Sequence, residues 1–390
     1  MSTTRTIPAP PPALVDALRA ANVPLEEYQD ACRACGDCDD DEEEEVEGYP
    51  KGFEVDQETM LGEVKAFGRQ IVISTGKSDW AHEVTEEEGS VPGLVCAAYE
   101  DAQKKREGER PGMLGRLSSK LFGAGDAETA KEQQPKQEGW HPTPAATPGE
   151  GKTSTRLSIL ASSLLSSSPT HEGESVLVLP DFKVVHDVHP RRSDAEELVR
   201  RYLAPEVGGL GAGAPASEGE EGSEGLRSWP LPYHAVILLC SHKKRDKRCS
   251  ISAPLLISQF HHHLSRHGLQ VDERGDDLSD GPPIEEWPGT AEEKEQRLKE
   301  ALQGASVAKA DGEGARVGIF KTSHLGMHKW AANMMIYFPN GSVVWYARTT
   351  PADVKLIVDR TIMEGKVIPE FLRGGLGITG KDGAKGVLEW

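Results

Sequence analysis

Short apolar runs separated by long polar stretches set the pattern of this chain. In the N-terminal part, Arg69 to Ser74 and Ser175 to Pro180 are brief, β-branched and bounded by turn residues, so each predicts a buried strand. Asp194 to Leu203 predicts a helix with Ser193 or Asp194 at its N-cap. The C-terminal part is clearer. His234 to Cys240 predicts a buried strand ending in a cysteine, and a polar loop, Ser241 to Arg248, follows. Ser250 is then expected to cap a helix whose apolar residues Ile251, Leu255, Leu256, Phe260 and Leu264 recur at helical spacing, with Gly268 just beyond its end. Arg316 to Phe320 predicts a second strand. Met334 to Phe338 and Ser342 to Tyr346 predict a hairpin across Pro339-Asn340-Gly341. Thr350-Pro351-Ala352-Asp353 opens a last helix with a cap, a first-position proline and an acid in its first turn, and Gly365 stops it.

The expected fold class is therefore α/β. The strand–helix–strand order closing with a hairpin and a helix is that of a thioredoxin-like domain over 229–377, preceded by an α/β domain over 53–204 that is either a degenerate thioredoxin-like unit or another α/β unit. Segment 1–52 carries a cysteine cluster and an acidic run, 205–228 reads as a linker and 378–390 as a tail. Four stretches read as disordered or loosely ordered: the acidic run from Asp39 to Glu45, the insertion at about 103–152, Pro205 to Gly225, and the charged insertion from Asp272 to Gly314, in which Ala291 to Leu302 forms at most a short solvated helix.

Composition sharpens this picture. Only 37% of the 390 residues are apolar, and the net charge is −19, so the chain's field opposes nucleic acid and anionic membrane. No run approaches the ~18 apolar residues of a membrane span, and the N-terminal thirty residues have the pattern of neither a signal nor a transit peptide. A cytoplasmic protein is expected. Its six cysteines are too sparse for a disulfide scaffold and read as thiols or metal ligands.

Two ligand pairs stand at predicted strand ends. Cys240 and Cys249 enclose an eight-residue loop, and His324 and His328 follow the next strand. Two thiolates and two imidazoles suffice for one zinc ion or a two-iron cluster. The loop is long for mononuclear zinc, whose cysteine pairs are usually two to four residues apart, and suits the wider cluster better. A dithiol oxidoreductase is a further alternative, although its usual pair is Cys-x-x-Cys.

The same residues carry a resemblance. Cys240-Ser241-His242, Arg245-Asp246 and Arg248-Cys249, then Ser323 to Lys329, Ala332-Asn333 and Ile336-Tyr337, resemble the sucrase/ferredoxin-like family over Ser175 to about Gly377, with a fainter likeness at Ile71 to Trp80. The resemblance implies a thioredoxin-like ferredoxin whose [2Fe–2S] cluster is held by Cys240, Cys249, His324 and His328 outside any Rieske fold. The function it implies is electron transfer or redox sensing with an unidentified redox partner protein, an electron carrier being expected ahead of a stand-alone enzyme. Ser241, Ser250 and Met327 stand where the family usually has glycine. No paired carboxylates support the "sucrase" half of the family name.

Several other residues enter as candidates. Cys32, Cys35 and Cys38, with Cys96, form a rival thiolate site ahead of the acidic run. His242, in the ligand loop, is expected to be a solvated loop residue, the alternative being a hydrogen bond to a cluster sulfur. Lys243, Lys244, Arg245, Lys247 and Arg248 form a basic loop that either steers an acidic redox partner or is simply solvated. His261, His262 and His263 point in different directions if helical. Arg373-Gly374-Gly375 reads as a tight turn. Gly76-Lys77-Ser78 lacks the preceding glycine of a phosphate loop, since Ile71 stands there. Finally, Leu388-Glu389-Trp390 resembles the C-terminal tripeptide of clients of the cytosolic iron–sulfur assembly machinery, which makes that machinery the expected partner.

Overall fold

The computed structural model describes residues 9–26, 49–51, 53, 60, 67–109, 156–166, 173–204, 225–305, 315–326 and 330–378. In chain order the elements are α1 (Pro12–Ala20), β1 (Arg69–Ser74), α2 (Val91–Glu109), β2 (Leu157–Ser162), β3 (Glu174–Leu179), β4 (Lys183–Val188) and α3 (Arg192–Leu198, continued by a wider turn, Val199–Leu203). There follow β5 (Arg227–Pro230), β6 (Ala235–Cys240), α4 (Lys247–Arg266), β7 (Gln270–Asp272), α5 (Ala291–Ala305), β8 (Arg316–Thr322), β9 (Met334–Tyr337) and β10 (Val343–Tyr346). The chain closes with α6 (Val354–Leu356, continued by Ile357–Ile362) and β11 (Leu372–Leu376).

All eleven strands belong to one mixed, mostly antiparallel sheet in the order β11-β10-β9-β6-β8-β2-β1-β3-β4-β5, with β7 pairing β8. The order contains the same motif twice. In the N-terminal half β1 lies parallel to β2 and antiparallel to β3, which pairs β4. In the C-terminal half β6 lies parallel to β8 and antiparallel to β9, which pairs β10. Each half thus runs strand, helix, strand, hairpin, helix. The halves meet edge to edge, where β2 and β8 pair antiparallel through Ser162 and Thr322. Two reciprocal bonds of 2.8 Å, Ser163 N–H to the Lys321 carbonyl and Ser323 N–H to the Ala161 carbonyl, hold that junction. A buried Tyr337 hydroxyl also donates to Gln70 across the halves at 2.8 Å.

Strand periodicity sorts the core by face. On β6, Ala235, Ile237 and Leu239 join a cluster with α1, α4 and α6, whereas Val236, Leu238 and Cys240 point into a second cluster on the opposite face. That second cluster is shared, because it also takes in Val72, Leu160, Leu177 and Val184 of the N-terminal half. The other face of the N-terminal half packs on α2 and α3.

The predicted strands and helices form, with shifted ends. Asp246, not Ser250, caps α4, its carboxylate accepting from the Arg248 N–H at 2.8 Å, and Ile251 faces out. At the last helix the expected capping box is present between Thr350 and Asp353. α1, α2, β2, β4, β5 and β11 carried no clear pattern in the sequence. The largest departure concerns the charged insertion. From Asp272 to Ala305 it is packed, not loosely ordered: Leu278, Ile284, Trp287, Leu298 and Leu302 are buried in the shared cluster. Glu285 accepts hydrogen bonds from Tyr202, from Ser228 N–H and from the Ser228 hydroxyl, tying the insertion to the N-terminal half. The average composition hides five well-spaced apolar anchors, and Leu298 and Leu302 lie one helical turn apart on the same face of α5. The acidic run, 110–152, 205–224 and 306–314 lie outside the described residues.

Leu298→Ala should therefore destabilise the protein by about 2–4 kcal/mol, read as a lower urea midpoint at unchanged m. Lys299→Ala, on the exposed side of α5, should change stability by less than about 0.5 kcal/mol. Equal, small effects from both would return α5 to the status of a solvated helix.

Candidate metal centre

The site is built around the end of β6. Cys240 is the last residue of an entirely buried strand and pairs in parallel register with Thr322 of β8. The loop after it turns tightly, with Arg245 and Asp246 N–H both bonded to the His242 carbonyl, and Asp246 then starts α4. This places Cys249 in the first turn of α4, its N–H bonded to the Asp246 carbonyl at 3.1 Å. A helix start favours negative charge at that point. The eight-residue gap is thereby folded shut. The Cys240 sulfur is buried beside Cys249 and His324, with the backbone of Leu325 and His242 also close enough to act on it.

These neighbours fix the protonation of the pair. The hydrogen bond from Cys249, then those from His324, Leu325 and His242, hold Cys240 well below the ordinary thiol range despite its burial. Cys249 moves the opposite way, pushed up by its bond to Cys240 and by desolvation. The two thiols therefore titrate as a pair and not as independent groups.

His324 follows β8 directly, next to Ser323, whose hydroxyl accepts from Ala161 N–H at 3.1 Å. It therefore sits where the two halves touch. His328 lies outside the described residues, as do Cys32, Cys35, Cys38, Leu388, Glu389 and Trp390. Beyond His328 the chain re-enters through Ala331 and Ala332, both left-handed with φ of 46° and 42°. Two consecutive alanines in that region cost roughly 1–2 kcal/mol each, so their surroundings must impose the turn. It ends at Asn333, whose carbonyl accepts the Cys240 N–H at 3.0 Å. The cysteine strand and the return of the histidine loop are thus bonded directly to one another.

Among the described residues no three His, Cys, Asp or Glu side chains form a ready metal cage. Cys240, Cys249 and His324 are three of the four expected ligands, and Cys249 and His324 each lie near Cys240. Two buried sulfurs, one imidazole and two backbone N–H donors on a sulfur form a donor set that fits an iron–sulfur group.

The N-terminal half covers the thiol side. His242 is almost fully buried, and its Nε2 bonds the Trp80 carbonyl at 3.1 Å. The expected solvated loop residue is thus corrected: its ring is buried against the Trp80 loop, which supplies its acceptor. Burial lowers the pKa of His242 and favours the neutral ring. The basic loop is divided in the same way. Arg245 donates to the His82 carbonyl at 2.8 Å and pairs with Glu83, and Arg248 folds back onto Asp246, while Lys243, Lys244 and Lys247 remain exposed.

A cavity of about 400 Å³ opens beside His324, lined among others by Gln70, Cys96, Arg156, Trp345 and Arg373. Cys96 is a free thiol whose pKa burial raises further, near Glu100. His261 bonds Glu273 while the rings of His262 and His263 meet edge to face, so the three do not converge. Arg373-Gly374-Gly375 is not a turn but part of β11. The strand passes so close to β10 that a side chain at Gly375 would meet the Val343 carbonyl at 2.8 Å. Arg373 itself is buried at the site, and only the unusual density of tryptophan around the histidine loop hinted at this.

The family model for sucrase/ferredoxin-like proteins matches residues 60–374, from the N-terminal half through β11. The chain belongs to that family. It is 31% identical over 142 residues to altered inheritance of mitochondria protein 32 of Debaryomyces hansenii, covering 36% of this chain and 35% of that protein. It is 29% identical over 194 residues to actin patches distal protein 1 of Saccharomyces cerevisiae, covering 48% of this chain and 46% of that protein. A protein from Meyerozyma guilliermondii with the same name as the first matches at 24% over 206 residues, 51% of this chain and 56% of that protein. The chain thus spans about a third to a half of the curated relatives it matches. No solved structure matches it. Among the described residues, no helix is long and apolar enough to cross a membrane.

Asp246→Ala removes the cap that places Cys249 and should cost about 1 kcal/mol in thermal unfolding. Asp246→Asn should recover most of that loss, since an amide oxygen still accepts the Arg248 N–H.

Proposed function

We propose that this chain is an electron-transfer or redox-sensing protein that holds a [2Fe–2S] cluster on Cys240, Cys249, His324 and His328, within a thioredoxin-like C-terminal half. The observation that carries the reading is the contact of one buried sulfur with both the partner thiol and an imidazole from the next strand. Membership of a family described as sucrase/ferredoxin-like supports it, as does the strand order β8-β6-β9-β10 with its parallel pair and antiparallel hairpin. When bound, such a cluster supplies one-electron chemistry.

The chain's own residues set the terms of that chemistry. Two thiolates and two neutral imidazoles carry less negative charge than four thiolates, which favours the reduced form and raises the potential. Each imidazole ligand retains a second nitrogen, which becomes more basic when an electron is added nearby, so a proton is taken up at that ring. The thiol pair lies under the Trp80 loop, away from water. A compartment that keeps thiols reduced, the cytoplasm being the proposed one, suits the free Cys96, Cys240 and Cys249.

Iron and acid-labile sulfide in equal amounts, with a visible charge-transfer spectrum, are expected after anaerobic purification of the full chain. A colourless protein holding zinc would refute the proposal. The adjacent thiols also favour a second reading, a dithiol–disulfide couple, which the same spectrum separates because it too is colourless. Burial of both sulfurs speaks against exchange with a protein substrate.

The potential should fall as pH rises, approaching ~59 mV per unit where one proton accompanies one electron. His324→Cys should lower the potential and flatten that slope. A wild-type potential independent of pH from 6 to 10 removes histidine ligation.

A further inference from the structure

Arg373 is almost completely buried, an unusual state for a guanidinium. Its charge is met by two tryptophan faces, with the guanidinium carbon 4.9 Å from the Trp330 ring centre and 4.7 Å from that of Trp345. One nitrogen, Nη1, donates to the Gly326 carbonyl at 3.2 Å and to the Asn333 side-chain oxygen at 2.5 Å. These two acceptors stand on either side of the stretch that contains His328. Asn333 continues the connection, because its carbonyl takes the Cys240 N–H. Between the two acceptors lie Ala331 and Ala332 in their left-handed turn, a conformation that the surroundings have to enforce.

We propose that Arg373 is the positioning residue of the histidine loop: stacked between Trp330 and Trp345, it ties Gly326 to Asn333 and holds together the two ends of the segment that carries His328. The inference rests on the cluster reading for its purpose, though the tie itself is a matter of the loop alone. A planar guanidinium suits the place, since it stacks on both rings while donating in its plane, which a lysine ammonium does not do. Its position on β11 couples the loop to the far edge of the sheet. Removing the tie should loosen the loop without loosening the strands that carry Cys240 and Thr322.

Arg373→Met retains a long stem between the tryptophans and removes the donors; Asn333→Ala removes one acceptor and leaves the backbone bond to Cys240. Amide hydrogen exchange on the full chain as purified should rise about tenfold over 324–333 in both variants, with β6 and β8 unchanged. Iron loss to a chelator should accelerate by a similar factor. Wild-type exchange and iron retention in both variants overturns the proposal. So does a uniform rise through β6 and β8, which marks Arg373 as a general support of the sheet. If Arg373→Met does not fold, Asn333→Ala decides alone. If the wild type holds no iron, the cluster reading fails, and loop exchange still judges the tie.

Discussion

A sulfur buried to 3% exposure has to find its hydrogen-bond donors inside the protein, and around Cys240 that requirement organises the whole centre. Its polar neighbours come from four places: the thiol in the first turn of α4, the ring after β8, and the backbone of Leu325 and His242. His324 and Leu325 arrive there because β6 and β8 run parallel and end level with one another, as the pairing of Cys240 with Thr322 makes them do. Cys249 arrives there because Asp246 starts the helix at Lys247. The polarity of the site therefore depends mainly on strand register and helix capping, and only secondarily on the identity of neighbouring side chains.

The N-terminal half shows what the same scaffold becomes without sulfur. In the parallel pair of β1 and β2, Ser74 occupies the terminal position that Cys240 holds in β6, facing Ser162 as Cys240 faces Thr322. Its hydroxyl donates to Glu174 at 2.7 Å and accepts from Ser175 N–H at 2.8 Å, a closed polar network with no soft ligand. Leu164 stands two residues beyond Ser162, where His324 stands two beyond Thr322. What this half contributes is cover. The loop after β1 lies against the loop after β6 through Ser78, Asp79, Trp80, His82 and Glu83. Water is thereby kept from the thiols, and the low dielectric strengthens every bond to Cys240.

How much of this the sequence disclosed follows from where each kind of information is kept. The strands with unbroken apolar runs, β1, β3, β6 and β8, were legible because burial on both faces leaves a one-residue record. Cys240, Cys249 and His324 were legible because soft ligands at strand ends have few other uses. β2 and β4 were not, since Leu157–Ser162 interrupts its apolar residues with two serines, and Lys183–Val188 places a lysine and a histidine inside the core. α5 was misjudged because a window average weighs ten exposed positions equally with the two leucines that anchor it. Arg373 was missed for a deeper reason. A pair of glycines beside an arginine looks like a turn, and only tertiary structure shows β11 passing close enough to β10 to need Gly375.

The two sides of the centre differ in their access to solvent, and that difference bears on how a proton would accompany an electron. The sulfurs are buried beneath the Trp80 loop, where the His242 ring is held by the Trp80 carbonyl. His242 and His324 both border a cavity of about 400 Å³, large enough to hold several waters and lined also by Arg156, Ser158 and Gln70, and His324 is the one of the two expected to ligate. A protein that only shuttled electrons would gain by sealing both sides, since reorganisation of water opposes rapid transfer. Sealing the thiolates while leaving the imidazole beside a polar cavity is instead the arrangement expected if the potential is meant to follow pH. It also assigns the two halves complementary work: one keeps the sulfurs dry, and the crevice between them lets the ring exchange its proton.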